Sequence, residues 1–392
     1  MSHEEVFNRF FPGLSPDAEV FCPCRVCPIG AHVDHQMGKT TGFALNRGIY
    51  ICYKATEAPI VELCSLNFAG RVHITLKRTT AQQNDWGDYV RAAIDVLSYH
   101  GYKLVSGFVG IVIGTLPVGG VASSSAVILS YLVVLSRVNN LLITSDELVE
   151  FAYIAERLFL HLNIGKLDQT CEVKCEQDSL LYFDTSTDYA KNIMRNVTMP
   201  KFQVGIFYSG VPRSLRNSAY NLRVSECKLA AKILKGYAGI SMKPNSDCYL
   251  REIPQEIFEQ FKSHLPDNLR KRADHYFSEQ ARVIKGIAAW QSGDMHKFGQ
   301  LIFDSGDSSI RNYENGSLEL CELHNIAKNT PGIYGGRFAG AGFSGCYMAI
   351  VDPNYTQQIR NSVAMKYLTI FPRLKECFCL CFCDTANGIS IH

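Results

Sequence analysis

The stretch RVCPIGAHVDHQMGKT, residues 25 to 40, sets His32, Asp34 and His35 within four positions and closes on Gly38-Lys39-Thr40. Imidazole and carboxylate groups this close could ligate a metal or line a polar pocket, and Gly-Lys-Thr is how a phosphate loop ends. That loop requires glycine five positions before Gly38, and Val33 stands there, so the phosphate-loop reading fails. A metal would draw its ligands from one short segment with no other partner visible nearby, which favours a polar binding pocket. A stronger phosphate candidate is LPVGGVASSSA, residues 116 to 126. Gly119 and Gly120 let backbone approach a polyanion, and a helix opening at Ser123 would aim its N–H groups and positive dipole end there. Ser123, Ser124 and Ser125 add hydroxyls for phosphate or Mg²⁺, although a serine-capped strand-to-helix turn looks similar. GGRFAGAGFSGC, residues 335 to 346, holds five glycines in twelve positions, which packing in a bulged strand turn hardly requires. Two such loops imply a ligand clamped between them. Last, GKLDQ puts Asp168 twelve residues after Glu156, a pair that could serve as base and metal ligand, although an aspartate after glycine commonly just completes a turn.

The elements that must position these groups alternate between β-rich and helical stretches. GFALNRGIYICYKA and VHITLKR read as strands, and DWGDYVRAAIDVLSYHG reads as a helix stopped by Gly101. GFVGIVIG then leads into the first glycine-rich turn, and SSSAVILSYLVVLSRV is apolar nearly all round, as a buried helix is. In ITSDELVEFAYIAERLFLHLNIG, Thr144 and Glu147 have capping-box spacing, and the pattern predicts one helix ending before Gly165. Its apolar stripe runs through 148, 151, 152, 155, 158, 159 and 162, leaving Glu156 at the edge, half buried and in need of a partner. A second alternation follows residue 200: FQVGIFYSG as a strand, helices through 215 to 236 and 253 to 301, then YGGRFAGAGFSGCYMAIVD and a final cysteine-rich strand. The domain boundary is placed between 195 and 200.

The chain has 392 residues, long enough for two domains, with 47% apolar and 19% charged residues, as in a globular enzyme. A formal charge of +2 carries no electrostatic footprint for nucleic acid, so no nucleic-acid partner is expected. The N-terminal MSHEEVFNRFF lacks the apolar core of a signal peptide, and the longest apolar runs fall short of the roughly 20 residues that span a bilayer, so no membrane partner is expected. Fifteen cysteines in a long chain without export signals read as buried thiols of a cytoplasmic protein. Cys377, Cys379, Cys381 and Cys383 would line one face of a strand, too extended for one tetrahedral metal, and Cys22, Cys24 and Cys27 lack a second half for a zinc site.

Taken in order, RVCPIGAHVDH, LPVGGVASSSA and GGRFAGAGFSGC resemble the three motifs of the kinase superfamily named for galactokinase, homoserine kinase, mevalonate kinase and phosphomevalonate kinase, the GHMP kinases. The resemblance covers nearly the whole chain. DWGDYV at 85 to 90 and ERLFLHLNIGKLDQ at 156 to 169 follow the galactokinase branch, while YNLRVSECKLAAK at 220 to 232 and RADHYFSEQARVIKG at 272 to 286 look like the plant galacturonokinases. The resemblance implies an α+β, two-domain fold. Residues 1–197 would form a mixed-sheet domain with the sugar signature and phosphate loop, and residues 198–392 a ferredoxin-like α+β domain, with the active site between them. It also implies transfer of the γ-phosphoryl group of ATP, with Mg²⁺, to the anomeric hydroxyl of a sugar acid, by a monomer or homodimer. Carried over by position, Asp168 is the base and Arg25 orients it; Glu156 and Ser125 hold Mg²⁺. Ser123, Ser124 and the amides at Gly119 and Gly120 cradle phosphates, and His32, Asp34, Gly165 and Tyr220 hold sugar hydroxyls.

Ala31 decides between sugars. Galactokinases have glutamate there, reading the C6 hydroxyl; galacturonate carries a carboxylate at C6, and alanine removes a like charge and makes room. D-Galacturonate is therefore the expected substrate, with galactokinase or another sugar 1-kinase, and a non-catalytic sugar and ATP sensor, as the rivals. A cation must meet the substrate carboxylate, and Arg213, Arg216 and His35 are the candidates. Two departures from the galactokinase pattern stand out: Val121-Ala122 in place of Gly-Leu, and His35-Gln36 in place of Tyr-Asn.

Overall fold

The computed structural model describes residues 2–76, 82–117, 119–212, 219–244 and 246–392. A short helix α1 (His3–Phe10), closed by a Ser2/Glu5 capping box, precedes the first sheet. Strands β1 (Ala18–Val26), β2 (Lys39–Thr56), β3 (Ile60–Ser65) and β4 (Val72–Thr75) are followed by helix α2 (Asp88–Tyr99), strand β5 (Gly107–Gly114) and helices α3 (Ser123–Val138), α4 (Ser145–Ile154) and α5 (Leu167–Lys174). Strands β6 (Ser179–Asp184) and β7 (Tyr189–Met194) form a hairpin on the near end of β2. The main sheet runs β1-β2-β5-β3-β4, antiparallel except for the β3–β5 pair, and the C-terminal residues Ser390–Ile391 add an antiparallel strand at the β1 edge.

The apolar side chains of α3 are buried all along its length because the helix lies within one hydrophobic cluster shared with α2, α4 and strands of this sheet. Where β1 crosses β2 the register slips: Pro23 faces Gly48, yet Arg25 faces Ala44. A Cβ on Gly48 would sit 2.0 Å from the Cys22 carbonyl oxygen, so this crossing needs glycine. The irregularity lies directly before Arg25.

The second half begins with β8 (Gln203–Tyr208) and helices α6 (Tyr220–Tyr237), α7 (Gln255–Phe261), α8 (Asp267–Ser292), α9 (Met295–Ser308) and α10 (Leu318–Lys328). It continues with β9 (Ile333–Phe338), β10 (Cys346–Val351), α11 (Thr356–Ile370) and β11 (Cys379–Cys383), then the short β12 (Thr385–Ala386) and β13 (Ser390–Ile391). Its sheet has the order β11-β8-β10-β9, all antiparallel, the arrangement of a ferredoxin-like unit. The stretch expected to be helical from 253 to 301 divides at residues that cannot continue a helix: Pro254 and Pro266 sit at N-caps, and Gly293, with φ +79°, ends α8.

Two expectations are corrected here. The α-helix expected up to Gly165 stops at Ile154 and passes into a π turn over Ala155–Phe159. Cys377 lies in the turn before β11 and is exposed, so only three of the four alternating cysteines belong to the strand. The last residues cross back over the 197/198 division. Thr385 and Ala386 pair with Leu45 and Ala44, and Ile391 and Ser390 pair with Val20 and Phe21, returning the C-terminus to the first sheet. A hydrophobic cluster also joins the halves, packing Val26, Ile29 and Phe43 with Val204, Trp290 and Met348. No helix among the described residues is long and apolar enough to cross a membrane.

Candidate active site

The two glycine-rich loops meet. Cys346 N–H donates to the Gly119 carbonyl at 3.0 Å, and a Cβ on Gly345, at φ +91°, would lie 2.8 Å from the same oxygen. Beside this contact α3 begins, with Ala122 in the left-handed region at φ +62° and no side-chain cap on the helix. The serine-capped alternative is thus absent, and the first-turn N–H groups of α3 are left for a ligand. Gly119, Gly120, Ser123 and Ser124 line a cleft of about 400 Å³ that also reaches Ala31, His32, Asp34, Asp168 and Tyr220.

Arg25 and Asp168 form the centre of this cleft. Arg25 Nε donates to Asp168 Oδ1 at 2.8 Å, its Nη2 lies 2.6 Å from the same oxygen, and Nη1 donates to the Gly120 carbonyl at 3.1 Å. Burial opposes the guanidinium charge, but the Asp168 carboxylate outweighs it and holds Arg25 above its ordinary value. Asp168 stands in the first turn of α5 rather than in a turn, with its side chain 23% exposed to the cleft.

Glu156 is more deeply placed than its sequence position foretells. The π turn rotates it inward to 2% exposure, where Gln169 Nε2 donates to its Oε2 at 2.5 Å and the Ser124 hydroxyl lies against it. Burial, then the nearby Asp168 charge, raise Glu156 to about 8. Ser125 turns the other way: its Oγ donates to the Ala122 carbonyl at 2.9 Å, away from the cleft, and its hydroxyl lies beside Glu172. Glu156 therefore lies beside Ser124 rather than Ser125, because the backbone at Ala122 turns Ser124 toward the cleft. A buried carboxyl group, a hydroxyl at the cleft and the first turn of a helix beside them fit a Mg²⁺–phosphate site.

The expected sugar residues come together as well. A Cβ on Gly165 would lie 2.3 Å from Asp34 Oδ2, so the bare backbone of Gly165 is what lets the Asp34 carboxylate fit. Burial, then Asp168, raise Asp34 to about 6. His32, at φ +57°, stacks on Tyr313 with ring centroids 4.3 Å apart. Its Nε2 faces Asn315 Nδ2 at 2.9 Å and Arg337 Nη2 at 3.3 Å. Asn315 Nδ2 also donates to the Ala341 carbonyl, which fixes the amide orientation, so both neighbours donate and Nε2 accepts. The proton of His32 is then on Nδ1.

Ala31 is gripped from α8. Glu279 accepts from the Gly30 and Ala31 N–H groups at 2.8 and 3.1 Å, and His275 Nε2 donates to the Ala31 carbonyl at 2.9 Å. Against its own burial, Arg282, His275 and Arg337 hold Glu279 down at about 2, a fully ionised clamp. Of the expected cations for a substrate carboxylate, Arg213 and Arg216 lie outside the described residues. His35 fails: it is buried between Tyr313 and Gln36, and burial lowers it to about 3, so it is neutral. Sequence reasoning missed Arg337, although it is the one charged residue in GGRFAGAGFSGC. It is 1% exposed and lines the cleft; Nη1 donates to the Cys27 carbonyl at 2.9 Å, and among the described residues the buried Nε has no hydrogen-bond partner. Burial pulls its pKa down.

These features can be set beside known proteins. The family described as GHMP kinases N terminal domain matches residues 88–175. The galacturonokinase of Arabidopsis thaliana is 35% identical over 368 residues, 89% of this chain and 86% of that protein. The galactokinase of Clostridium acetobutylicum is 30% identical over 372 residues, 93% of this chain and 91% of that protein. Among solved structures, Lactococcus lactis galactokinase complexed with galactose superimposes with a TM-score of 0.89 at 26% identity, over 99% of this chain and 98% of that one. A mevalonate kinase at 14% identity, covering 94% of this chain and 99% of its own, shares the fold with a TM-score of 0.65. The chain belongs to the GHMP kinase family, in its galactokinase branch, and is a sugar kinase.

Proposed function

We propose that this kinase transfers the γ-phosphoryl group of ATP to the anomeric hydroxyl of D-galacturonate, giving galacturonate 1-phosphate and ADP. The observation that carries the sugar acid is Ala31: a cleft-lining position without a carboxylate, its backbone fixed by Glu279 and His275. The similarity to a galacturonokinase supports the same reading. Galactose is the second reading, favoured by the galactokinase relatives and the likeness to a galactose-bound galactokinase.

In this reading Asp168 accepts the proton of the anomeric hydroxyl as it attacks, and Arg25 fixes the carboxylate and faces the negative charge that develops. Asp34, His32, the backbone at Gly165 and Tyr220 hold the sugar hydroxyls, so the attacking oxygen is oriented before chemistry. The N–H groups that open α3, with Gly119, Gly120, Ser123 and Ser124, hold the nucleotide phosphates. Glu156 and Ser124 would hold Mg²⁺, which when bound neutralises charge on the phosphates. Burial raises Glu156 in the free protein, so it would have to give up its proton to hold the ion. The deciding experiment measures ADP release with galacturonate, galactose and glucuronate side by side. A kcat/KM highest for galacturonate is expected; a protein that prefers galactose overturns the sugar-acid reading, and no turnover with any sugar overturns the catalytic one.

A further inference from the structure

The outer face of the main sheet carries a cluster that the kinase reaction does not use. His3 on α1, Glu19 on β1 and Cys52 on β2 each present one donor atom, and the three atoms lie within 4.8 Å of one another. Among the described residues no other three histidine, cysteine or carboxylate side chains come together in this way. Glu19 Oε2 is the centre: His3 Nδ1 lies 2.7 Å away, and Cys52 Sγ donates to it at 2.8 Å. An ionised carboxylate only accepts, so Nδ1 also carries a proton there. None of the three residues lines the cleft.

Three separate elements are fixed so that these groups meet. Glu19 and Cys52 face each other across the β1–β2 ladder, so their side chains leave the same face of the sheet. His3 is the first residue of α1, whose start is set by the Ser2/Glu5 capping box, and its ring packs on Tyr50 with centroids 4.5 Å apart. Cys52 is 2% exposed, whereas the His3 and Glu19 side chains are 34% and 24% exposed, which leaves a path from solvent to the donors. Glu4 adds a second negative charge beside Cys52. A fourth group stands next in the row: Glu19 and His392 exchange both backbone hydrogen bonds, at 2.9 and 2.8 Å, which places the His392 side chain on the same face.

Imidazole, thiolate and carboxylate together are a donor set of Zn²⁺, whereas Mg²⁺ takes oxygen. With ligand bonds of about 2.0 to 2.3 Å, tetrahedral Zn²⁺ holds its donors roughly 3.4 to 3.6 Å apart, so the two short contacts need open by less than about 1 Å. On binding, the Cys52 thiol gives its proton to solvent and the His3 proton transfers through solvent from Nδ1 to Nε2, the ion taking the place of both. We propose that His3, Glu19 and Cys52 form a Zn²⁺ site, its fourth position open to water or to His392, and that the ion fastens α1 to the sheet.

The test titrates Zn²⁺ into the untagged, chelator-treated chain against a chromophoric chelator, with Co²⁺ as the spectroscopic probe. The parent should take up one Zn²⁺ per chain in excess Mg²⁺, melt at a higher temperature with it, and give with Co²⁺ the charge-transfer band of a thiolate ligand. Cys52→Ser should lose that band and weaken Zn²⁺ binding about 100-fold, and His3→Ala should weaken it about 10-fold with the band retained and the kinase kcat unchanged. Cys377→Ser, at the exposed thiol, should alter neither. If Cys52→Ser lacks a cooperative thermal unfolding transition, His3→Ala, at a half-exposed position, is decisive. No Zn²⁺ uptake by the parent would make the trio a plain hydrogen-bonded cluster. Uptake that survives both His3→Ala and Cys52→Ser, or that Cys377→Ser abolishes, would put the ion elsewhere, and each of these results overturns the site.

Discussion

Ala31→Glu places a carboxylate where the cleft can least accommodate one beside a sugar acid. The backbone cannot swing away, because Glu279 holds the Ala31 N–H at 3.1 Å and His275 holds its carbonyl at 2.9 Å. Ala31 is buried apart from its face on the cleft, so a longer side chain has room only toward the substrate. Two unit charges about 4 Å apart at an effective dielectric near 20 repel by about 4 kcal/mol, and a third of that is already about tenfold in kcat/KM. Galacturonate should therefore lose about 10²- to 10³-fold, while galactose, neutral at C6, should be used equally well or better. The assay is a coupled ADP measurement at saturating ATP, with each sugar varied in parent and variant. Equal losses for both sugars would show that Ala31 merely packs and would refute the charge argument.

Other consequences can be checked in the same assay. Asp168→Asn should lower kcat by about 10² to 10⁴ while sugar and ATP still stabilise the variant against heat, as expected for a positioned base. Glu156→Gln should raise the Mg²⁺ concentration for half-maximal activity several-fold with little change in the sugar KM, and an unchanged Mg²⁺ titration would make Glu156 structural. Asp34, raised to about 6 by burial and by Asp168, accepts from sugar hydroxyls as a carboxylate only above that value. The sugar kcat/KM should thus fall about tenfold per pH unit below pH 6, and Asp34→Asn should flatten that limb at a lower plateau. The same raised value destabilises the sugar-free fold as pH rises: the stability Asp34 contributes is present below its unfolded value and is lost through about pH 6. Asp34→Asn should remove that part of the decline in melting temperature, and an unaltered profile would count against the burial of Asp34.

What the sequence disclosed follows from how local the physics is. Glycine-rich loops announce themselves because one residue type supplies the required backbone freedom, so Gly119, Gly120 and Gly345 were legible without any partner being known. The capping box at Thr144 and Glu147 and the full length of α3 were legible for the same reason, each set by a few adjacent residues. The failures are all long-range or conformational. The apolar stripe through 162 continued past the end of α4, yet it could not show the π turn that brings Glu156 fully inside. Three consecutive serines gave no basis for choosing between Ser124 and Ser125, because the choice is made by the left-handed backbone at Ala122. His35 looked like a cation in a polar run, but Tyr313 and Gln36 enclose it as a neutral ring. Arg337 was visible as a charge amid glycines, while its meaning depends on Cys27 and His32, roughly three hundred residues earlier in the chain.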